Sequence, residues 1–351
     1  MTDTQMTDTQ DFFYEIIREK VIDHAEIVLI LFEECNMKCV FCPQDHASKV
    51  GQSREEILSK ADPVVKYIHG NMRTTDFHFH IMGGELFQDH LIEAGFLDVY
   101  AEFMETVREQ CPGKNLTFRF VTNLITDRIA DVAAFADKHD LKMNVSYDPV
   151  GRFNGQQLET FKRNIEAFEA YVNLISLVIT KQNIERLLKG DEYHDYLYAK
   201  FPMSWDSLLP GQNFLKVMMP SESELFAFYE LLLDKYPLTL TLNLDSFTGE
   251  NTQNKMACTR GNSFTVLHDG TIPVGCSGSV LMKEGKTQNL ESTIIIQNFM
   301  KERNCFSCEY YKRCGFSCFI RNDYKDLKRD LDECAFKKVF RIVDAKRVEK
   351  D

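Results

Sequence analysis

The stretch Phe32–His46, FEECNMKCVFCPQDH, spaces Cys35, Cys39 and Cys42 as C-x3-C-x2-C. Clustered cysteines in a reducing compartment point to metal rather than to disulfides. Two donor sets fit the spacing. With His46 the three cysteines form a Cys3His set that satisfies tetrahedral zinc. Without it, three thiolates hold a [4Fe–4S] cubane, which normally takes four, and one iron stays open to an outside ligand. A second array, CFSCEYYKRCGFSC, runs C-x2-C-x5-C-x3-C from Cys305 through Cys308 and Cys314 to Cys318. Cys334 follows it, and Cys258 and Cys276 precede it. The five-residue gap is too tight for a zinc ribbon, which wants two C-x2-C pairs further apart. The eleventh cysteine, Cys111, stands alone before Pro112 and reads as a thiol without a role.

These residues need a frame. Glu26–Phe32 (EIVLILF) reads as a buried strand feeding directly into the first cysteine loop. Asp76–Met82 is a second strand, ending in Gly83-Gly84-Glu85. Further strands are expected at Asn115–Thr122, Lys142–Tyr147, Asn173–Thr180 and Leu238–Leu244, six in all. Helices are expected at Asp11–His24, after Ser53 (a capping box with Glu56), from Asp62-Pro63, at Asp89–Gln110, Asp127–His139, Gln156–Tyr171, from Ser221 to Tyr236, and at Asp332–Val348. The segments Ile184–Phe201 and Pro202–Met219 match no template. Strands alternating with helices predict an α/β fold with a parallel sheet and right-handed crossovers, here an open, partial (β/α)6 TIM-like barrel. In such sheets chemistry gathers at the C-terminal strand ends, where the cysteine loop and the Gly-Gly-Glu turn both lie. His78 and His80 share one strand face and are read as ordinary strand side chains.

The division expected is a leader and helix over 1–25, the barrel over 26–249, and a metal-stapled, cysteine-rich domain with a final helix over 250–351. The net charge of −12 argues against nucleic acid, whose affinity is largely cationic. No run approaches the ~18 apolar residues of a membrane span. The polar, duplicated start MTDTQMTDTQ has no signal-peptide pattern, so a cytoplasmic protein is expected.

The segment CNMKCVFC resembles the CxxxCxΦC hallmark of the radical S-adenosylmethionine superfamily, with Phe41 as the aromatic Φ. The resemblance implies a [4Fe–4S] cluster on Cys35, Cys39 and Cys42 whose open iron chelates S-adenosylmethionine. Reductive cleavage then yields a 5′-deoxyadenosyl radical that abstracts hydrogen. It also implies cofactor contacts from Phe41 near the adenine, from Gly83, Gly84 and Glu85 toward the methionine moiety, from Asn123 in a Thr-Asn turn where the family often has TNG, and from Ser146 near the ribose. The turn departs from the family at Leu124. The second array resembles the SPASM extension. This implies one or two auxiliary [4Fe–4S] clusters, the outer on Cys305, Cys308, Cys314 and Cys334, the inner on Cys258, Cys276 and Cys318. Gly270 lies five residues before Cys276 rather than four, and no fourth inner cysteine is evident.

An oxidoreductase that modifies a peptide or protein is the expected activity: crosslinking, epimerisation or residue oxidation, with a flavodoxin- or ferredoxin-type electron donor. Only 34 residues precede Cys35, so a leader-peptide-binding protein would be a separate chain. The competing readings are a dehydrogenase or mutase acting on a sugar or aminocyclitol, and a non-enzymatic zinc-stapled binding protein. Tyr147 and Asp148 are candidate acids at a strand end, but no catalytic base is assigned.

Overall fold

The computed structural model describes residues 24–42, 44–208, 216–241, 263–273, 300–311, 314 and 331–348. The helix expected before His24 and Cys258, Cys276 and Cys318 lie outside them. The chain divides into two compact units, Ile22–Ser176 with Asn262–Ser277, and Leu177–Gly261 with Met1–Val21 and Gly278–Asp351.

In the first unit, strands β1 (His24–Ile30), β2 (Asp76–Met82), β3 (Asn115–Thr122), β4 (Met143–Ser146) and β5 (Val172–Ile179) appear near their expected places. All neighbouring pairs from β1 to β5 are parallel. A further strand, β8 (Ser263–Val266), pairs parallel with β1, Glu26 opposite Ser263. Four residues inside a cysteine- and glycine-rich stretch carried no usable periodicity, so this strand was not expected.

Side chains alternate across the pleat. Ala25, Ile27 and Leu29 of β1 and Phe77, Phe79 and Ile81 of β2 are buried, while the residues between them are half-buried. The buried strand expected over Glu26–Phe32 is fully buried on one face and half-buried on the other. Helices α1 (Arg54–Ser59), α2 (Ala61–Gly70), α3 (Asp89–Glu93), α4 (Phe96–Gln110), α5 (Ile129–Lys138) and α6 (Gly155–Ala167) connect the strands. Ser53 and Asn154 cap α1 and α6 with capping boxes. Tyr67 of α2 meets Phe77 edge-on at 6.4 Å, and Phe120 lies 5.7 Å from Tyr100 of α4 and 5.8 Å from Phe135 of α5. The single helix expected over Asp89–Gln110 is two, because Gly95 takes a left-handed conformation (φ 82°) that ends one and starts the other.

β5 runs on into the second unit, where β6 (Met203–Ser207) and then β7 (Leu240–Thr241) follow beside it. The unplaced segments resolve into α7 (Lys181–Lys189), α8 (Glu192–Lys200) and β6. They were hard to read because α8 carries no clear apolar stripe and β6 is five residues with polar alternates. α9 (Glu222–Lys235) starts at the capping box of Ser221 and Glu224, and α10 (Ala335–Val348) is the last helix. Trp205 packs on Phe228 (5.1 Å) and on His194, whose buried ring has no hydrogen-bond partner among the described residues. Among the described residues the strands number eight rather than six. The alternation is that of a partial parallel α/β barrel.

Candidate functional site

The first cysteine loop leaves the C-terminal end of β1 and is held by backbone contacts to the turn after β2. Leu31 N–H donates to Met82 O (2.8 Å), Gly84 N–H to Phe32 O (2.9 Å) and Glu85 N–H to Glu34 O (3.0 Å). The fit leaves no room for a side chain. A Cβ on Gly84 would lie 1.9 Å from Glu34 O, and one on Gly83 would lie 2.9 Å from Phe32 O. The two glycines therefore lock the cysteine loop to the next strand end, whatever else they contact.

Glu85 is buried. Its Oε1 accepts from Phe87 N–H (3.0 Å) and Thr122 Oγ1–H (2.9 Å), its Oε2 from Asn123 N–H (2.6 Å). Burial raises its pKa despite these donors. The carboxylate thus joins the ends of β2 and β3. Asn123 continues the chain of ties: its Nδ2–H donates to Asn36 Oδ1 (2.9 Å), beside Cys35, and its Oδ1 accepts from Ile125 N–H (2.8 Å). Leu124 adopts φ 58°, the left-handed conformation a glycine would take without cost. It is held there by Asn164 of α6, buried and donating to the carbonyls of Leu124 (2.8 Å) and Thr126 (2.7 Å). The turn geometry survives the departure from glycine.

The loop after β4 covers the other flank. Asp148 Oδ1 accepts from Val150 N–H (3.1 Å) and Gly151 N–H (2.7 Å), closing a tight turn. Gly151 O accepts from Val40 N–H (3.2 Å), and a Cβ on Gly151 would lie 2.6 Å from the Phe41 ring. Arg152 stacks its guanidinium 5.6 Å from the centre of that ring. Its Nε is buried without a partner among the described residues. Sequence reasoning missed Arg152, because a lone arginine in a loop carries no motif. Ser146 is the buried last residue of β4, opposite Ser176. Gly83, Gly84, Glu85 and Asn123 thus contact the cysteine loop, which itself carries Phe41.

Burial pushes the Cys35 thiol up to about 12, with the charges of Glu85, Cys39 and Cys42 adding to it. Burial also pushes Cys42 up to about 11, and raises Cys39 while the Arg152 charge pulls it down. Thiols raised in this way, with Cys39 opposing ionisation of both Cys35 and Cys42, need a cationic centre to become ligands. Among the described residues, the three thiols do not form a group whose donor atoms all lie within 4.8 Å of one another. A single tetrahedral zinc would bring its sulfurs to about 3.8 Å. Cysteine side chains reach metal spacing by rotating about χ1, so the donor types and their order, rather than the spacing of the free thiols, define the ligand set.

In the second unit, Cys305 starts a 3-10 turn closed by Cys308 N–H donating to Cys305 O (3.0 Å), and Cys314 N–H donates to Tyr310 O (2.8 Å). Burial pushes Cys305 up to about 12, with Cys334 and Cys308 adding and Arg303 opposing. Burial raises Cys334 likewise, again opposed by Arg303. Arg303, buried and paired with Glu222 at 2.7 Å, is a fixed cation beside these thiols.

No family model matches the sequence, and no curated protein matches it. Solved structures do match by shape. Native anSMEcpe with bound AdoMet superposes with a TM-score of 0.64 at 18% identity, over 93% of this chain and 98% of that one. The chain has its fold. The same protein with AdoMet and a Cp18Cys peptide gives 0.63 at 19% identity, over the same shares. SuiB of Streptococcus suis bound to S-adenosylmethionine gives 0.56 at 14% identity, over 94% of this chain and 80% of SuiB. Among the described residues no helix is long and apolar enough to cross a membrane.

Proposed function

We propose that the protein is a radical S-adenosylmethionine enzyme with a SPASM-type C-terminal region that modifies a peptide or protein. The observation that carries this is the cysteine loop itself. Three cysteines in the CxxxCxΦC order, Cys39 buried and Cys35 and Cys42 half-buried, sit at the C-terminal edge of a parallel sheet, locked by Gly-Gly-Glu. Cys35, Cys39 and Cys42 would hold a [4Fe–4S] cluster. With S-adenosylmethionine bound, that centre supplies a 5′-deoxyadenosyl radical, a strong hydrogen-abstracting oxidant.

The chain's own residues have the following parts. Glu85, committed to β3, fixes the strand ends, so backbone carbonyls of its turn are left to receive an ammonium group. Phe41 presents an aromatic wall, and Arg152 offers a cation for a carboxylate. Asn123 positions Asn36 beside Cys35, and Ser146 remains the candidate for a ribose hydroxyl. Asp148 is occupied in its turn, which does not favour it as a base. Cys305, Cys308, Cys314 and Cys334 would ligate an auxiliary cluster, with Cys258, Cys276 and Cys318 proposed for a second. The barrel is proposed over 26–249, joined by β8 from beyond it, with the auxiliary region over 250–351. A peptide substrate is favoured because two proteins of this fold, anSMEcpe and SuiB, have been solved with peptides bound. A flavodoxin- or ferredoxin-type donor and a separate leader-binding chain complete the proposal.

The test is anaerobic reconstitution with iron and sulfide, then S-adenosylmethionine and dithionite. The wild type should turn brown and release 5′-deoxyadenosine, and Cys39→Ala should release none. Full turnover in Cys39→Ala, or a colourless zinc protein, refutes the reading.

A further inference from the structure

A second constellation of donors lies at the other end of the first two strands. The register sets Glu26 opposite His78, His24 opposite Asp76 and Val28 opposite His80. His24, Glu26, His78 and His80 therefore share the half-buried face, away from Phe77 and Phe79. The His24 and His78 rings stack at 5.0 Å. His80 Nε2 lies 2.6 Å from Glu26 Oε2, an ordinary hydrogen bond. Glu26 Oε1 is different. His24 Nε2 approaches it to 3.4 Å and His78 Nδ1 to 3.7 Å, both longer than a hydrogen bond needs. All three atoms lie within 4.8 Å of one another, the one such group among the described residues. The edge of a tetrahedron of nitrogen and oxygen ligands around zinc is about 3.4 Å. The three atoms stand near ligand spacing.

We propose that His24 Nε2, Glu26 Oε1 and His78 Nδ1 bind a zinc-class divalent ion, with water in the remaining position. His80 acts as a positioning residue, holding Glu26 through its second oxygen as outer partners of metal carboxylates do. The surrounding charge admits a cation. Glu26 and Asp76 contribute two carboxylates, and Arg119, opposite His80, is the one guanidinium that the register places beside them. Side-chain exposures of 42% for His24 and 21% for Glu26 leave a path for an ion. His24 opens β1, and at a strand's rise the cysteine loop begins about 20 Å further on. The site is thus separate from the cysteines, and its ion would pin β1 to β2 at their N-terminal ends. Conserving the strand pair that carries both the cysteine loop and the Gly-Gly-Glu turn is a structural role, so zinc should raise the thermal midpoint.

The experiment uses the full chain, first loaded with iron and sulfide so that the cysteines are filled. It is then exposed to micromolar zinc, desalted and assayed for both metals. The wild type should keep one zinc more per chain than His78→Ala, at equal iron, and only the wild type should gain thermal stability from zinc. His80→Ala should still bind one zinc, about 10–100-fold more weakly. His24→Ala, at the half-buried start of β1, serves if His78→Ala does not fold, and should lose the same zinc. Equal zinc in wild type and both variants, or none in the wild type, overturns the proposal.

Discussion

Replacing Gly84 by alanine tests how the cysteine loop is held. The added Cβ would stand 1.9 Å from Glu34 O, 2.3 Å from Glu34 C and 2.4 Å from Glu33 O. All three are backbone atoms, so no rotamer relieves the clash. Close packing demands a retreat of about 1 Å before contact becomes tolerable. That movement breaks the bonds from Gly84 N–H to Phe32 O and from Glu85 N–H to Glu34 O. Each is worth about 1 kcal/mol net, rising to about 1–3 kcal/mol where the freed groups stay buried without a partner. Taking about 1 kcal/mol per bond if the freed groups reach water and about 3 if they stay buried, a loss of roughly 2–6 kcal/mol is expected, alongside a shift of Cys35, the residue after Glu34. Gly155→Ala is the control, since its Cβ meets nothing within 4 Å and it opens a helix. Urea unfolding and iron content of the reconstituted proteins are the readouts. Gly84→Ala should lose both stability and most of the first cluster's iron, while Gly155→Ala keeps both. If Gly84→Ala unfolds at the wild-type midpoint with full iron, the lock between the two loops is not what the glycines provide.

Asn164→Ala removes two buried donors from the carbonyls of Leu124 and Thr126 and should cost about 2–4 kcal/mol in urea unfolding; a change below 0.5 would show that Leu124 holds its left-handed turn unaided. Arg152→Gln removes the cation over Phe41 and beside Cys39, and 5′-deoxyadenosine release should fall about 2–5-fold from the ring contact alone; unchanged kinetics would remove Arg152 from the site. Cys308→Ala should lose about one cluster's worth of iron, roughly two to four atoms, and solubility with it; full iron would refute the auxiliary ligand set. His194 supplies a pH dependence. Burial lowers its pKa to about 4, against 6.5 for an open histidine. The unfolded chain therefore binds this proton first as pH falls, and stability drops from about pH 6.5 until it levels near pH 4. At pH 5 the loss is about 2 kcal/mol. His194→Phe should flatten that slope in urea titrations at pH 7.5 and pH 5, and an unchanged slope would place the acid sensitivity elsewhere.

Much of the frame was legible because periodicity is local. Asp76–Met82 and Asn115–Thr122 alternate cleanly enough that their observed bounds match the expected ones residue for residue. The strands that escaped notice, Met203–Ser207 and Ser263–Val266, are four or five residues long, and their existence depends on a neighbour to pair with. The helix break at Gly95 is a single backbone angle that apolar spacing cannot register.

At the site, the sequence alone determined the donors: which thiols exist, their spacing, and the aromatic and glycines around them, since ligand chemistry follows from residue type and short-range order. Only the tertiary structure decided how those residues are used. Glu85 turned inward to backbone amides, Arg152 came over Phe41, and the space beside Gly84 proved to be filled by carbonyls of the cysteine loop. His24 and Glu26 met His78 across fifty residues of intervening chain. Such contacts depend on strand register and loop closure, which bring together residues far apart in the chain and leave no mark in the local order of amino acids.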